Sequence, residues 1–235
     1  MPTALLFDRV SKCLPRQPIL DGVDFAVQAG ESFALVGCNG AGKTTLMKCL
    51  LDFCRVTHGG IEIFGVPHAD RSARERLAFL PERFSAPYFL TGRKFLAVML
   101  ELHGGRDADI ESTVVAIDLD PAALDRPVRL YSKGMTQKLG LVACLASGKP
   151  LLVLDEPMSG LDPLARARLK AELRALKARG VTLFFTSHAL ADVTELADRL
   201  AVLHDGKLRF VGTPADLVGR HDASDLEQAF LACIA

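Results

Sequence analysis

The chain has 235 residues, and its 28 Lys and Arg residues balance 28 Asp and Glu residues, so its formal net charge at pH 7 is zero. A protein held on nucleic acid neutralises many phosphates with basic side chains, and this balance therefore disfavours nucleic acid as a partner. Hydrophobic residues make up 49% of the chain and charged residues 24%, which excludes a disordered or fibrous protein and predicts one globular domain.

The amino terminus and the cysteines favour a cytosolic protein. Residues 1–6 carry no positive charge before a few apolar residues, so we expect no signal peptide. The most apolar stretch, residues 139–154, is shorter than the roughly 20 residues of a membrane-spanning helix and contains Lys149 and Pro150. The six cysteines lack metal-site or disulfide spacing, which predicts reduced thiols. Any action on a membrane therefore requires another chain.

Strands and helices alternate along most of the chain. In the first half, short apolar runs predict strands over residues 5–10, 25–27, 33–36 and 61–64. After Pro81 the periodicity is helical, over residues 91–102, 110–117 and 133–146. The alternation then resumes with strands 151–154, 182–186 and 200–204, helices 163–179 and 190–197, and a last helix ending near Ile234. Continuous apolar strands are typical of a parallel sheet covered on both faces, so we predict an α/β fold.

A phosphate-binding loop follows the predicted strand 33–36. Its sequence fits the pattern G-x-x-x-x-G-K-[ST], and a helix is expected to begin near Lys43. The glycines allow consecutive backbone N–H groups to face phosphate oxygens at the positive end of the helix dipole. We expect Lys43 to bridge the β and γ phosphates and Thr44 to bind Mg²⁺. The predicted nucleotide-binding residues are Gly37, Cys38, Asn39, Gly40, Ala41, Gly42, Lys43, Thr44 and Thr45.

Two carboxylates and a histidine follow later strands. Asp155 comes directly after strand 151–154, at the strand end where doubly wound sheets bind ligands, and is expected to join the Mg²⁺ shell. Glu156 could polarise the attacking water, and His188 could hydrogen-bond this water and the γ-phosphate. An isolated Asp-Glu pair is often a solvated turn, but here a phosphate loop lies upstream. The other histidines, expected at the surface, are His58, His68, His103, His204 and His221.

Taken together and in this order, the motifs resemble those of the ATP-binding cassette (ABC) family. Residues 131–135 (Tyr-Ser-Lys-Gly-Met) are similar to the family's Leu-Ser-Gly-Gly-Gln signature, residues 159–162 to its D-loop, and residues 187–188 to its switch histidine. The resemblance implies that the signature binds ATP held by a second subunit, although Ser132 also suits a simple helix cap. The residues implied in contacts between subunits are Ser132, Lys133, Gly134 and Gln137 of the signature and Ser159 and Asp162 of the D-loop.

The resemblance also implies the architecture and the activity. It implies a P-loop NTPase core with a mostly parallel sheet, an antiparallel β portion and an inserted helical subdomain, forming one domain with its core at 1–81 and 148–235 and its helical part at about 82–147. The implied cofactors are ATP and Mg²⁺. The implied function is ATP hydrolysis by a homodimer or heterodimer that drives a separate exporter-type permease from the cytoplasmic face of the membrane. Alternatives are a role in membrane-complex assembly and a soluble ABC ATPase acting on translation or DNA.

Some positions differ from the family's common pattern. Leu14 stands where an aromatic residue usually stacks on adenine, and Glu82 replaces a glutamine, although its carboxylate can still approach Mg²⁺. Cys38 lies inside the phosphate loop, so a bulky thiol adduct there is expected to block the phosphates, and ATP to protect the thiol. The aromatic-rich segment 83–90 either contacts the permease or packs inside the helical lobe.

Overall fold

The computed structural model describes residues 2–14, 17–104 and 110–235. The strands are β1 (Thr3–Leu14), β2 (Gln17–Gln28), β3 (Ser32–Val36), β4 (His58–Ile63), β5 (Val66–Pro67), β6 (Leu77–Leu80), β7 (Leu151–Leu154), β8 (Thr182–Thr186), β9 (Arg199–His204) and β10 (Lys207–Gly212). The helices are α1 (Lys43–Leu50), α2 (Arg71–Arg74), α3 (Gly92–His103), α4 (Ile110–Ala116), α5 (Lys133–Leu145), α6 (Pro163–Ala178), α7 (Leu190–Leu196), α8 (Pro214–Arg220) and α9 (Leu226–Ile234). Short 3₁₀ helices span Pro121–Asp125 and Val128–Leu130.

Within the described ranges the strands form two sheets. One is four-stranded and antiparallel, in the order β2-β1-β4-β5, and the other is six-stranded, in the order β10-β9-β3-β8-β7-β6. Strands β9, β3, β8, β7 and β6 run parallel, and β10 pairs antiparallel with β9 at the edge. The predicted α/β fold, with a mostly parallel sheet and an antiparallel portion, is confirmed. This order places the carboxyl ends of β3, β8 and β7 side by side.

The parallel sheet is buried on both faces, which explains its apolar strands. Side chains alternate between the faces of a strand. In β3, Phe33 and Leu35 belong to a buried cluster with β1, β2 and α1, whereas Ala34 and Val36 belong to a second cluster with helices α3 to α7. Because neither face meets water, apolar residues predominate on both, and the period-two pattern disappears from the sequence.

A group of stacked phenylalanines joins the two sheets. The rings of Phe7 and Phe25 lie 4.5 Å apart, those of Phe25 and Phe33 5.2 Å apart, and those of Phe33 and Phe184 6.2 Å apart between centroids. Phe7 and Phe25 come from the antiparallel sheet, whereas Phe33 and Phe184 come from β3 and β8 of the parallel sheet. The cluster therefore fixes the antiparallel sheet against the strands whose ends carry the candidate site.

Strands β6 and β10 were not predicted. A four-residue apolar run such as β6 cannot be distinguished from a piece of buried helix by periodicity alone. Strand β10 lies at the edge of the sheet, and its exposed positions carry Lys207 and Arg209. Strands β1 and β2 are also longer than predicted, because irregularities in their pairing interrupt the alternation of apolar and polar residues.

The prediction of a surface position was wrong for His68. This side chain is buried, and its Nδ1 lies 3.0 Å from the carbonyl oxygen of Ile61. An imidazole can be buried when a backbone carbonyl accepts its N–H. No local sequence pattern indicates that the Ile61 carbonyl is this partner.

Candidate nucleotide-binding and hydrolysis site

The loop between β3 and α1 passes too close to other atoms for side chains at two of its glycines. A Cβ on Gly37 would lie 2.2 Å from the carbonyl oxygen of Leu203. Gly42 has φ 108°, and a Cβ there would lie 2.8 Å from Leu20 Cδ2. Gly42 is also the N-cap of α1 and, having no side chain, provides no capping acceptor. The first N–H groups of α1 therefore have no side-chain acceptor, which suits them to an anion.

Lys43 is a buried cation held by its own loop. Its side chain is only 8% exposed, and Nζ lies 2.5 Å from the carbonyl oxygen of Gly37 and 3.2 Å from that of Cys38. Burial lowers the pKa of Lys43, while the carboxylates of Glu156 and Asp155 oppose this shift. An ammonium group bonded to carbonyl oxygens can exchange them for the more strongly attracting oxygens of a phosphate.

Asp155 follows β7 and is 6% exposed. The Thr186 hydroxyl donates a hydrogen bond of 2.7 Å to Asp155 Oδ1. Burial raises the pKa of Asp155, and the hydrogen bond from Thr186 and the charge of Lys43 lower it. A buried carboxylate beside a cationic lysine is suited to a divalent cation, which would compensate its negative charge.

Glu156 and His188 face each other. The backbone N–H of His188 donates to Glu156 Oε2 at 3.2 Å, and His188 Nε2 lies 3.2 Å from Glu156 Oε1. The pair of His188 Nε2 and Glu156 Oε1 does not have hydrogen-bond geometry. Glu156 Oε1 is therefore a buried acceptor without a hydrogen-bond partner among the described residues. Burial raises the pKa of Glu156, opposed by the neighbouring His188. A carboxylate with a raised pKa and an available oxygen is suited to accept a proton from water.

These groups line one cavity of about 270 Å³. Its lining residues are Ile19, Cys38, Asn39, Gly40, Ala41, Gly42, Lys43, Thr44, Thr45, Glu82, Asp155, Glu156 and His188. Cys38 is exposed here, as a thiol open to alkylation must be. Sequence reasoning missed Ile19, which no motif marks and which reaches the cavity from β2. Leu14, by contrast, is 52% exposed and is not part of the lining.

Lys133 and Gln137 of the signature, but not Ser132 or Gly134, line a second cavity of about 510 Å³. Its lining residues are Glu82, Arg83, Phe84, Tyr131, Lys133, Thr136, Gln137 and Ser159. Ser132 caps α5 by accepting from the N–H of Met135 at 3.2 Å, and Asp162 caps α6 by accepting from the N–H of Ala165. Gln137, expected to contact ATP, is a buried residue of α5. Among the residues that the structure describes, only Glu82 lines both cavities.

The first cavity fits a nucleoside triphosphate with Mg²⁺. It combines the uncapped start of α1, the ammonium of Lys43 and oxygen donors of the kind that Mg²⁺ prefers, namely the Thr44 hydroxyl and the Asp155 carboxylate. The buried oxygen of Glu156 completes the set as an acceptor for water. This arrangement can bind phosphates, hold a cation and accept a proton.

Known proteins resemble this chain in sequence and in fold. The ABC transporter family matches residues 20–159 of the chain. The chain belongs to the ABC transporter family. This family member is 39% identical over 212 residues to an uncharacterized ABC transporter ATP-binding protein of Synechocystis sp., and the match covers 88% of the chain but only 60% of that relative. It is 34% identical over 237 residues to the Nod factor export ATP-binding protein I of Paraburkholderia xenovorans, covering 98% of the chain and 78% of that protein.

A solved structure described as the ATP-binding subunit of an ABC transporter has the same fold. It matches this ABC family member with a TM-score of 0.92 and 30% identity, over 98% of this chain and 99% of the other. Among the residues described here, no helix is both long enough and apolar enough to cross a membrane.

The raised pKa of Asp155 predicts that ionised Asp155 lowers the free energy of unfolding of the protein. A carboxyl with a raised pKa binds its proton more tightly in the folded than in the unfolded state, so stability falls as the pH rises through that pKa. Asparagine does not titrate and can still accept from Thr186. We therefore expect Asp155→Asn to raise the Tm of the nucleotide-free protein by a few degrees at pH 7 and by less at pH 5, as measured by calorimetry.

A matched control for this substitution is Asp21→Asn. Asp21 is an exposed residue that pairs with Lys207 at 3.2 Å, and exposed pairs contribute little to stability. We expect it to change the Tm only slightly at either pH. A lower Tm for Asp155→Asn at pH 7 would contradict the prediction, as would a gain that grows at pH 5.

Proposed function

We propose that the chain is the ATP-binding and ATP-hydrolysing subunit of an ABC exporter and drives a separate transmembrane permease. The observation that carries this proposal is the meeting of the phosphate loop, Asp155, Glu156 and His188 at one cavity. We further propose that residues 1–235 form one ABC ATPase domain, with the helical part at about 82–147. The described helices α3 to α5 lie between β6 and β7, which supports this division.

In the proposed reaction, the loop binds the triphosphate and Glu156 activates water. The backbone N–H groups at the start of α1 and the Lys43 ammonium bind phosphate oxygens, and Thr44, Asp155 and Glu82 would hold Mg²⁺. Bound Mg²⁺ supplies positive charge that offsets the negative charge developing on the phosphates. Glu156 accepts the proton of the attacking water, and His188 orients the Glu156 carboxylate and contacts the γ-phosphate. Ile19 borders the cavity beside the loop and would contact the nucleotide.

We propose that two subunits enclose the nucleotide. Within one chain the signature residues do not line the cavity of the phosphate loop, so they cannot complete that site without a second copy or a related ATPase. In the proposed dimer, Ser132, Lys133 and Gly134 face the γ-phosphate held by the partner, and Ser159 and Asp162 lie at the interface. Gln137 is 6% exposed on α5 and lines the second cavity, and we propose that it contacts the partner's ATP from there.

We propose that Tyr88 and Phe89 contact the permease at the cytoplasmic face of the membrane. Their side chains are 69% and 68% exposed, with rings 5.6 Å apart. Phe84 of the same segment instead packs on Phe95 of α3, with ring centroids 5.7 Å apart. Contact with the permease is therefore proposed for Tyr88 and Phe89, and packing inside the helical lobe for Phe84. The Paraburkholderia relative is named for export, which supports an exporter, and the permease would determine the cargo.

Substitutions of Ser132 can distinguish a contact between subunits from a simple helix cap. The wild-type protein is expected to release phosphate from ATP with Mg²⁺. Ser132→Ala removes the cap and the hydroxyl, so we expect a less stable protein, by about 1 kcal/mol, with phosphate release at least about 10-fold slower. Asparagine caps helices as well as serine does but has no hydroxyl. We therefore expect Ser132→Asn to recover the Tm but not the rate.

The control for Ser132 is Thr213→Ala. Thr213 caps α8 through a hydrogen bond of 3.0 Å from the N–H of Asp216, away from both cavities. We expect this substitution to lower the Tm by a similar amount without slowing phosphate release. Recovery of both properties in Ser132→Asn would mean that Ser132 acts only as a cap. A dimeric Ser132→Ala protein with the full wild-type rate would also contradict the proposed contact.

A further inference from the structure

We propose that Thr186 is a positioning residue that fixes the Asp155 carboxylate and the backbone of Glu156 at the hydrolysis site. Thr186 is the last residue of β8 and is fully buried, at 0% exposure. It lies between the ends of β3 and β7, so its side chain reaches Asp155 and the backbone of Glu156. This inference rests on the proposed ATP hydrolysis, and it gives a role to a residue that belongs to none of the sequence motifs.

The hydrogen bonds of Thr186 run in one direction. The backbone N–H of Glu156 donates to Thr186 Oγ1 at 2.9 Å, and Thr186 Oγ1 donates to Asp155 Oδ1 at 2.7 Å. A backbone N–H can only donate, so the hydroxyl oxygen must accept from Glu156, and its single proton is left for Asp155. Thr186 therefore requires an acceptor oxygen on Asp155 and joins the two acidic residues into one chain of hydrogen bonds.

For Asp155, the hydrogen bond fixes the orientation of the carboxylate. Rotation of the group would exchange Oδ1 for Oδ2 or break the bond to Thr186. With Oδ1 held, Oδ2 is left to bind the cation. Ligand groups that are held by outer hydrogen bonds keep their geometry and their affinity for a metal, and loss of the outer partner commonly weakens both.

For Glu156, the hydrogen bond holds a strained backbone. Glu156 has φ 49°, in the left-handed region that non-glycine residues rarely adopt. Its N–H is fixed by Thr186, and its carboxylate accepts from the N–H of His188. Both partners belong to the end of β8 and the residues just after it, so this strand end sets the position of the proposed base. Strained residues persist only where their surroundings hold them in this way.

Two substitutions and one control test the role of this hydroxyl. Thr186→Val keeps the shape of the side chain but leaves the N–H of Glu156 and Oδ1 of Asp155 without this partner. Thr186→Ser keeps the hydroxyl and loses a methyl group. Thr182→Val is the matched control, because Thr182 lies on the same face of β8, is buried, and accepts from the N–H of Gly30 at 3.0 Å at the other end of the strand.

The first measurement is hydrogen exchange of the nucleotide-free proteins, which does not depend on ATP. We expect the Glu156 amide to exchange at least about 10-fold faster in Thr186→Val than in the wild type, because a lost hydrogen bond frees the amide. Thr186→Ser and Thr182→Val should leave this amide within about 3-fold of the wild-type rate.

The second measurement is steady-state phosphate release, together with thermal stabilisation by a non-hydrolysable ATP analogue with and without Mg²⁺. For Thr186→Val we expect kcat to fall about 10- to 100-fold with KM for ATP within about 3-fold of wild type. The Mg²⁺ concentration needed for half-maximal stabilisation should rise about 10-fold, while stabilisation without Mg²⁺ is unchanged. Thr186→Ser and Thr182→Val should retain kcat within about 3-fold.

The outcomes distinguish this proposal from the proposed function. Equal losses of kcat in Thr186→Val and Thr182→Val would overturn the positioning role, because packing alone would explain them. Equal losses in Thr186→Ser and Thr186→Val would overturn it as well. If the wild type neither releases phosphate nor responds to the analogue with Mg²⁺, while Thr186→Val still shows the faster exchange, the hydrogen-bond network is supported and the proposed ATP hydrolysis fails.

Discussion

Replacement of Glu156 by glutamine is expected to slow phosphate release by about 10²- to 10⁴-fold, the usual contribution of a general base. Glutamine keeps the length and shape of the side chain but cannot accept the proton of water. In the wild type, burial raises the pKa of Glu156, which makes its carboxylate a better base, and Oε1 has no hydrogen-bond partner among the described residues. ATP binding should persist, because the phosphate loop is unchanged.

The same variant should accumulate as an ATP-bound dimer, since hydrolysis is the step that reopens the proposed dimer. Phosphate release and size-exclusion chromatography with ATP and Mg²⁺ measure the two effects together. Glu75→Gln is a suitable control, because Glu75 is an exposed residue that pairs with Arg71 at 3.0 Å on the surface. If Glu156→Gln hydrolyses ATP within about 3-fold of the wild-type rate, Glu156 is not the base.

Replacement of Phe184 by alanine is expected to lower the free energy of unfolding by about 3–5 kcal/mol, the usual cost of a large cavity in a core. Phe184 is fully buried, and its ring centroid lies 5.9 Å from that of Phe7 and 6.2 Å from that of Phe33. Its loss removes contacts that join the two sheets. Since domains are stable by only about 5–15 kcal/mol, this variant should lose a large part of its stability.

Urea denaturation measures this effect, and Phe89→Ala is its matched control. Phe89 loses the same atoms but is 68% exposed, so we expect a change within about 0.5 kcal/mol. If Phe89 contacts the permease as proposed, its variant should keep basal phosphate release and lose stimulation by the permease. A Phe184→Ala protein as stable as the Phe89→Ala protein would show that the aromatic cluster does not hold the sheets together.

The phosphate loop and the two carboxylates could be predicted because their signals are local. Glycine is required where the backbone passes close to other atoms, and a Cβ on Gly37 would lie 2.2 Å from the carbonyl oxygen of Leu203. Asp155 and Glu156 follow a continuous apolar strand, so their place at the end of a parallel strand followed from the sequence alone. The confirmed α/β fold has the same origin, in the contrast between apolar strands and amphipathic helices.

Other parts of the site could not be predicted, because no local pattern marks them. Ile19 reaches the cavity only because β2 passes beside the phosphate loop, where Leu20 also contacts Gly42. In the sequence, Thr186 is an ordinary strand residue. Its role is visible only in the structure, where β8 pairs with β7 and the Thr186 hydroxyl donates to Asp155. His68 was predicted at the surface for the same reason, because its carbonyl partner, Ile61, belongs to the neighbouring strand β4.

The sequence by itself determined the class of fold and the order of the phosphate-binding and acidic motifs, because backbone geometry, burial and charge restrict which residues can stand there. Only the tertiary structure decided which of these residues meet. It brought the ends of β3, β7 and β8 to one cavity and placed Lys133 and Gln137 of the signature at another. Such meetings depend on strand order and on packing between residues far apart in the chain, and a local pattern carries no information about either.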